Sequence, residues 1–211
     1  MLEKLPHWLG AALRPLRAGH EGLTICKVEH DGAGLLTLSS PAFAPGGRLP
    51  PRFTADGEGL SPPLFWSGVP EGADSLVLVV EDADAPAPRP LVHALVVGID
   101  ASATSLAEGA IVADGKGAEG RNVGRNSYLA EGWLPPDPPT GHGAHDYVFQ
   151  LFAIAPAGDA AIDEAKPGRG DVRDLLAGRI LASGLLIGTY SRGEEAPVEG
   201  GSGMAAPAPT S

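Results

Sequence analysis

Cysteine is nearly absent: Cys26 is the single one in 211 residues. No disulfide can form within the chain, and no thiolate zinc site is available. Cys26 is expected to be a buried or half-buried thiol without a chemical role. Aromatic residues are scarce too, at 5%. Cations are outnumbered, 15 Lys and Arg against 26 Asp and Glu, for a formal net charge of −11. A surface of that sign repels a phosphate backbone, which argues against nucleic acid as a partner. Long apolar runs are missing, so no membrane span is expected. The apolar stretches of Met1–Arg17 are broken by Pro6, His7 and Pro15. They lack the continuous apolar region and small-residue cleavage site of a secretory signal, and a cytoplasmic location is the expectation.

Glycine and proline are abundant instead, 30 and 21 residues. That is too much punctuation for a helical bundle. Strand-like runs lie between the breaks: Leu35–Ser39, Leu64–Ser67, Leu76–Glu81, Leu91–Ile99 and Tyr147–Ile154. Two of these, LVLVV (Leu76–Val80) and LVHALVVGI (Leu91–Ile99), are continuous β-branched or aliphatic runs, which suits strands covered on both faces. In the run from His145, the residues His145, Tyr147, Phe149 and Leu151 share one face. Leu2, Leu5, Leu9, Leu13 and Leu16 recur at helical spacing, predicting a short amphipathic helix or two turns broken at the prolines. One later helix is predicted near 171–183, capped by Asp171, with Val172, Leu175, Leu176 and Leu181 as its stripe and Gly184 as its stop. A final strand or extended segment would follow over Leu185–Arg192. The pattern reads as mostly β with peripheral helices. Residues 1–33 read as a partly helical extension, 34–192 as the domain, and 193–211 as a disordered tail rich in Gly, Pro, Ser and Ala.

Three elements carry chemistry. The first is Glu81–Pro86, in which Asp82 and Asp84 follow a buried strand and Pro86 closes a turn. Asp84 suits an Asx-turn to its own backbone, whereas Asp82, nearer the buried strand, needs a donor, a cation or a proton. The second is His93 inside an aliphatic strand. A short Pro-rich link makes the strands ending at Asp82 and holding His93 neighbours, so a carboxylate partner is expected for the imidazole. The third is Leu134–Phe149, a loop stiffened by Pro138 and Pro139, with Gly141 and Gly143 permitting tight turns. It carries His142 and ends in a strand bearing His145 and Tyr147. Together these residues form a small polar pocket suited to an anion or carbonyl ligand. A metal on Asp82, Asp84, His93 and His145 is the weaker reading, because mutual hydrogen bonds satisfy the same groups. No cofactor motif is present: GKGAEG (Gly115–Gly120) lacks P-loop spacing and reads as a loop.

The sequence resembles the phosphatidylethanolamine-binding protein family, in particular its bacterial Raf kinase inhibitor-like branch. The resemblance rests on SSPAF (Ser39–Phe43), Leu49–Gly72, SLVLVVEDADAP (Ser75–Pro86), His93, GRNSY (Gly124–Tyr128), DPPTGHGAHDYVFQLFAI (Asp137–Ile154) and Leu175–Arg192. It implies an antiparallel β-sandwich of Greek-key type with peripheral helices and a small cavity at one edge, and often a homodimer. In that family the cavity takes anions such as phosphate and phospho-headgroups. The matching positions are Asp82, Asp84, Pro86, His93, Pro138, Pro139, Gly141, His145 and Tyr147. This sequence departs from the pattern at Ala55, Ala83, Ala94, Asp137 and Asp146. Asp137 stands where a glycine is usual, and Asp146 where an arginine is usual. Two functions follow. The first is a ligand-binding protein with an anion-type cavity and a regulatory role by protein contact. The alternative is an enzyme on a small organic substrate, with His145, Asp137 and Tyr147 as acid–base groups for proton abstraction, an aldol-type or cyclisation step, or hydrolysis. In that second case the small residue at Ala94 is expected to enlarge the pocket.

Overall fold

The computed structural model describes residues 7–112, 122–156 and 166–192. The tail from 193 and the Gly115–Gly120 run lie outside the described residues. Two sheets face each other. The larger is formed by β1 (Gly34–Leu35), β4 (Ser75–Asp82), β5 (Leu91–Asp100), β7 (Asn122–Val123), β8 (His145–Ile154) and β9 (Ile180–Tyr190), in the order β1-β9-β8-β4-β5-β7. The smaller has β2 (Thr37–Ser39), β3 (Leu64–Ser67) and β6 (Ser105–Leu106) in the order β2-β3-β6. All pairings are antiparallel except β1 with β9.

The aliphatic runs are buried on both sides, as their continuity predicts. Leu76, Leu78 and Val80 of β4 face the smaller sheet and pack with Leu38, Leu64 and Trp66. Val77 and Val79 point the other way, into a second cluster closed by Val172 and Leu176. Each fully buried aliphatic of this kind contributes about 1.5–3 kcal/mol. Those two closing residues belong to α2 (Arg169–Leu176), which is shorter than the sequence pattern suggests. Asp171 does cap it, but from inside the first turn, accepting from the Gly168 N–H at 2.8 Å. Gly178, with φ 68°, ends the helical stretch. Leu181 and Gly184 therefore lie in β9, not in a helix. Gly184 is required there because a Cβ would meet the Leu36 carbonyl oxygen at 2.6 Å.

The amphipathic N-terminal pattern yields α1 (His7–Leu13), bounded by the prolines that flank it. It docks on the domain through Gly10, whose missing side chain lets the helix approach the Thr140 carbonyl; a Cβ would sit 2.1 Å from that oxygen. Cys26 is exposed rather than buried, because it lies on a turn whose inward residues are Leu23 and Thr24.

Candidate functional site

Register places the site. Asp82, the last residue of β4, pairs with Leu91 on one side and Tyr147 on the other, and His145 begins β8 two residues before that pair. One end of the larger sheet thus gathers the chemistry. His93 arrives there by a β-bulge: Val80 pairs with Ala94 and Glu81 with Val92, leaving His93 as the extra residue. The bulge turns His93 towards the cavity while Ala94 still packs in the inter-sheet core. Ala94 does not line the cavity, so its small size fills core space and does not enlarge the pocket.

The cavity has a volume of about 190 Å³. Asp82, His93, Asp137, His145 and Tyr128 are its polar walls, and Ala55, Ala85, Pro86, Leu91, Leu134, Pro135, Pro138 and Pro139 its apolar ones. Of the residues singled out from the sequence, Asp82, Pro86, His93, Asp137, Pro138, Pro139 and His145 line it. Asp84, Gly141, His142 and Tyr147 do not. They stand behind the wall or beside it.

Asp82 partners His145, not His93. The His145 Nδ1 lies 2.8 Å from Asp82 Oδ2, with both side chains almost wholly buried. The other oxygen, Oδ1, accepts from the Asp84 N–H at 2.8 Å, so Asp82 and not Asp84 makes the Asx-turn. His145 Nε2 lies 2.7 Å from His142 Nδ1, and His142 Nε2 lies 2.9 Å from the Leu13 carbonyl and 3.2 Å from that of Leu16. The carbonyls only accept, so His142 Nε2 carries a hydrogen. One hydrogen sits between the rings and one between His145 and Asp82. The chain from Asp82 to Leu13 therefore holds three protons. Two neutral imidazoles and a carboxylate supply only two, so the third proton lies in the Asp82–His145 hydrogen bond, shared between the carboxyl group and Nδ1. Burial, then the neighbouring His145, push His142 down from the usual imidazole range, so His142 keeps a single hydrogen, on Nε2.

His93 has a different environment. Its Nδ1 donates to the Leu134 carbonyl at 2.6 Å, which fixes the tautomer and leaves Nε2 as a bare acceptor. Burial pushes its pKa down, against the opposing pull of Asp82, so the ring is neutral. His93 Nε2 and the Tyr147 hydroxyl are both buried without a hydrogen-bond partner, and their rings meet edge to face at 5.1 Å. Burial raises the Tyr147 pKa well above its usual value, with Asp82 and Asp137 adding to the effect, so the phenol stays protonated.

Asp137 is not a free rim carboxylate. Arg192 Nη1 donates to it, and the same guanidinium holds Asp56 through Nε at 2.8 Å and Nη2 at 2.6 Å and reaches the Pro138 carbonyl at 3.3 Å. Tyr190 adds a hydroxyl bond to Asp56 at 2.7 Å. The Arg192 hydrogen bond holds the Asp56 carboxyl below its usual range. Asp56 and Arg192 lie in segments that sequence reasoning used only as marks of resemblance. Their role depends on the loop at 56 meeting the end of β9, which no local pattern announces.

The edge behind Asp84 is closed by the N-terminal segment. Arg17 Nη1 approaches Asp84 Oδ1 at 2.5 Å and donates to the Ala144 carbonyl at 3.1 Å. His20 Nε2 lies 3.3 Å from Asp146 Oδ2, while the Asp146 N–H donates to Asp84 Oδ2 at 2.7 Å. Burial and the nearby Asp84 raise the Asp146 pKa. Positive charge absent from position 146 itself is thus supplied by Arg17. Ligand atoms of His20, Asp84 and Asp146 lie within 4.8 Å of one another, but Asp84 is already engaged by Arg17.

The comparisons with known proteins agree with this geometry. The family model described as phosphatidylethanolamine-binding protein matches residues 39–191. The chain belongs to the phosphatidylethanolamine-binding protein family. A UPF0098 protein of Methanothermobacter thermautotrophicus is 38% identical over 159 residues, covering 75% of this chain and all of the relative. LppC of Mycobacterium tuberculosis, named as a lipoprotein, is 37% identical over 157 residues, covering 74% of this chain and 72% of its own. Among solved structures, a phosphatidylethanolamine-binding protein homologue from Chlamydia trachomatis aligns with a TM-score of 0.65 and 31% identity, over 76% of this chain and 99% of that one. YbcL of Escherichia coli, described as a new member of the mammalian family, aligns with a TM-score of 0.68 and 29% identity over 74% and 98%. Family membership is consistent with a small-ligand-binding protein, and with the absence, among the described residues, of any helix long and apolar enough to cross a membrane.

Proposed function

We propose that the cavity binds a small phosphate-type anion, free or as a phospho-headgroup, and that binding rather than turnover is its task. The observation that carries this reading is His93 Nε2, an unpartnered buried acceptor on the cavity wall. A singly protonated phosphate offers it a P–OH. An unsatisfied buried polar group is costly, and such a ligand relieves that cost. Arg192 offsets the Asp137 carboxylate at the rim, and the apolar walls suit the short organic part of a headgroup. A regulatory role by protein contact, a cytoplasmic setting and a homodimer belong to the same reading, with cell fractionation and solution mass as their checks.

The test is an NMR titration of the labelled protein with inorganic phosphate and with phosphoethanolamine, following the His93, His145 and Tyr147 rings. Saturable shifts at the His93 ring are expected, with His93→Gln weakening binding about tenfold. Asp137→Asn alongside separates the rim charge from the cavity. No saturable shift with either ligand, in the unmodified protein and the Asp137 variant alike, overturns the reading.

One observation favours catalysis as a second reading, through a different base from the one the sequence suggests. Both His145 ring nitrogens are engaged and Asp137 is held by Arg192, whereas His93 is neutral, oriented, and has its Nε2 free on the cavity wall. That is a base for abstracting a proton next to a carbonyl. Solvent deuterium exchange into a small ketone, lost in His93→Gln, is its signature; no exchange over the buffer rate rejects it.

A further inference from the structure

A second concavity, of about 600 Å³, lies between the turn at Ala87–Pro90, the turn at Arg125–Leu129 and the start of α2. Four of the 15 lysines and arginines of this acidic chain line it: Arg89, Arg125, Arg169 and Arg173. No carboxylate lines it. Glu81 lies beneath Arg169, with its Oε1 at 3.0 Å from Arg169 Nε, and Asp171 is occupied by the Gly168 N–H.

Three of the guanidinium groups donate to backbone carbonyls, and of these Arg169 also pairs with an acid, Glu81. Arg169 Nη2 donates to Pro90, Arg173 Nη2 to Gly22 at 3.0 Å and Arg125 Nε to Lys166 at 3.1 Å. Carbonyl anchors orient an arginine without cancelling its charge. The Nε of Arg173 is buried with no hydrogen-bond partner, and Arg89 makes no hydrogen bond or ion pair among the described residues. Beside them Gly170 opens the backbone, since a Cβ there would meet nothing within 4 Å.

The opposite wall is apolar and held under strain. Leu129 has φ 61°, the one positive value outside glycine among the described residues, and is 80% exposed. Asn126 fixes it there: its carbonyl accepts from the Leu129 N–H at 2.9 Å, and its Oδ1 accepts from Tyr128 and Ala130 at 2.9 and 3.3 Å. A leucine held in this conformation at the mouth of a basic groove, with Pro88 and Pro90 on the same lining, marks a surface shaped for contact.

We propose that this groove is a second ligand site, separate from the His93 cavity, for a small organic phosphate. Arg89, Arg125 and Arg173 take the phosphate dianion, and the organic part lies against Leu129, Pro88 and Pro90. Guanidinium groups suit phosphate oxygens because their donors form planar forks. The volume falls in the range of small-molecule sites.

The probe is phenyl phosphate, titrated into the full chain carrying His93→Gln and Tyr147→Phe, so that failure of the cavity reading leaves this test intact. Amide signals of Ser127, Gly168 and Gly170 report the groove. Saturable shifts are expected there, weakened about tenfold by Arg89→Ala and again by Arg125→Ala, neither of which removes a charge pair from the fold. Phenol is expected to leave these signals unmoved, and inorganic phosphate to bind about tenfold more weakly than phenyl phosphate through loss of the apolar contact. Absence of saturable shifts with phenyl phosphate, or binding indifferent to both arginine substitutions, overturns the proposal. Equal binding of inorganic and phenyl phosphate overturns its apolar half.

Discussion

Replacing Asp82 by asparagine or by alanine separates the two components of the histidine chain, charge and hydrogen-bond geometry. Alanine removes both acceptors at once. The Asp84 N–H loses its 2.8 Å partner and His145 Nδ1, on a side chain 1% exposed, loses its own. Breaking a buried pair in this way costs about 3–5 kcal/mol. Asparagine keeps one oxygen for Asp84 and turns an N–H towards His145 Nδ1. The chain then closes with two protons and both rings neutral, at a cost of about 1–2 kcal/mol for the lost charge assistance. Urea unfolding near neutral pH measures the two losses. Long-range nitrogen–proton spectra of the imidazoles read the count directly: a hydrogen shared between Asp82 and His145 Nδ1 is expected in the unmodified protein and is lost in Asp82→Asn. Equal destabilisation by the two substitutions, or no hydrogen between Asp82 and His145 in the unmodified protein, refutes the proton count.

Two further outcomes follow from the same structure. Gly10→Ala places a methyl against the Thr140 carbonyl and is expected to lift α1, costing about 1–3 kcal/mol and raising amide hydrogen exchange over residues 10–18 without altering the sandwich. Stability is expected to fall as pH drops below about 6.5, because His93 and His142 are held below that unfolded value and the unfolded chain binds the extra protons first; His93→Gln flattens that part of the profile, and an unchanged slope counts against the buried neutral ring.

The strands were readable because continuous aliphatic runs have few other places to go, and His145 with Tyr147 on one face followed from a period of two. The late helix was misread at its end. Leu181 fits both a helical stripe and a strand, and only the left-handed Gly178 and the close approach at Gly184 separate the two. The site residues were legible as a set but not as a wiring. Asp82 finds His145 because β4 pairs with β8 in one register, and His93 reaches the cavity through a bulge that no alternation pattern reveals. Arg192 captures Asp137 across 55 residues of chain, a contact of charge and tertiary position alone.

The reach of His142 to Leu13 and Leu16 spans 129 and 126 residues of chain. Closing a loop of that length costs entropy that only tertiary contacts repay. A molecule with its sandwich complete but residues 13–16 still undocked has the His142 ring open to water, where its proton can exchange and its tautomer can switch. The hydrogen bonds that fix the proton beside the cavity are therefore completed by a segment that lies outside the sandwich.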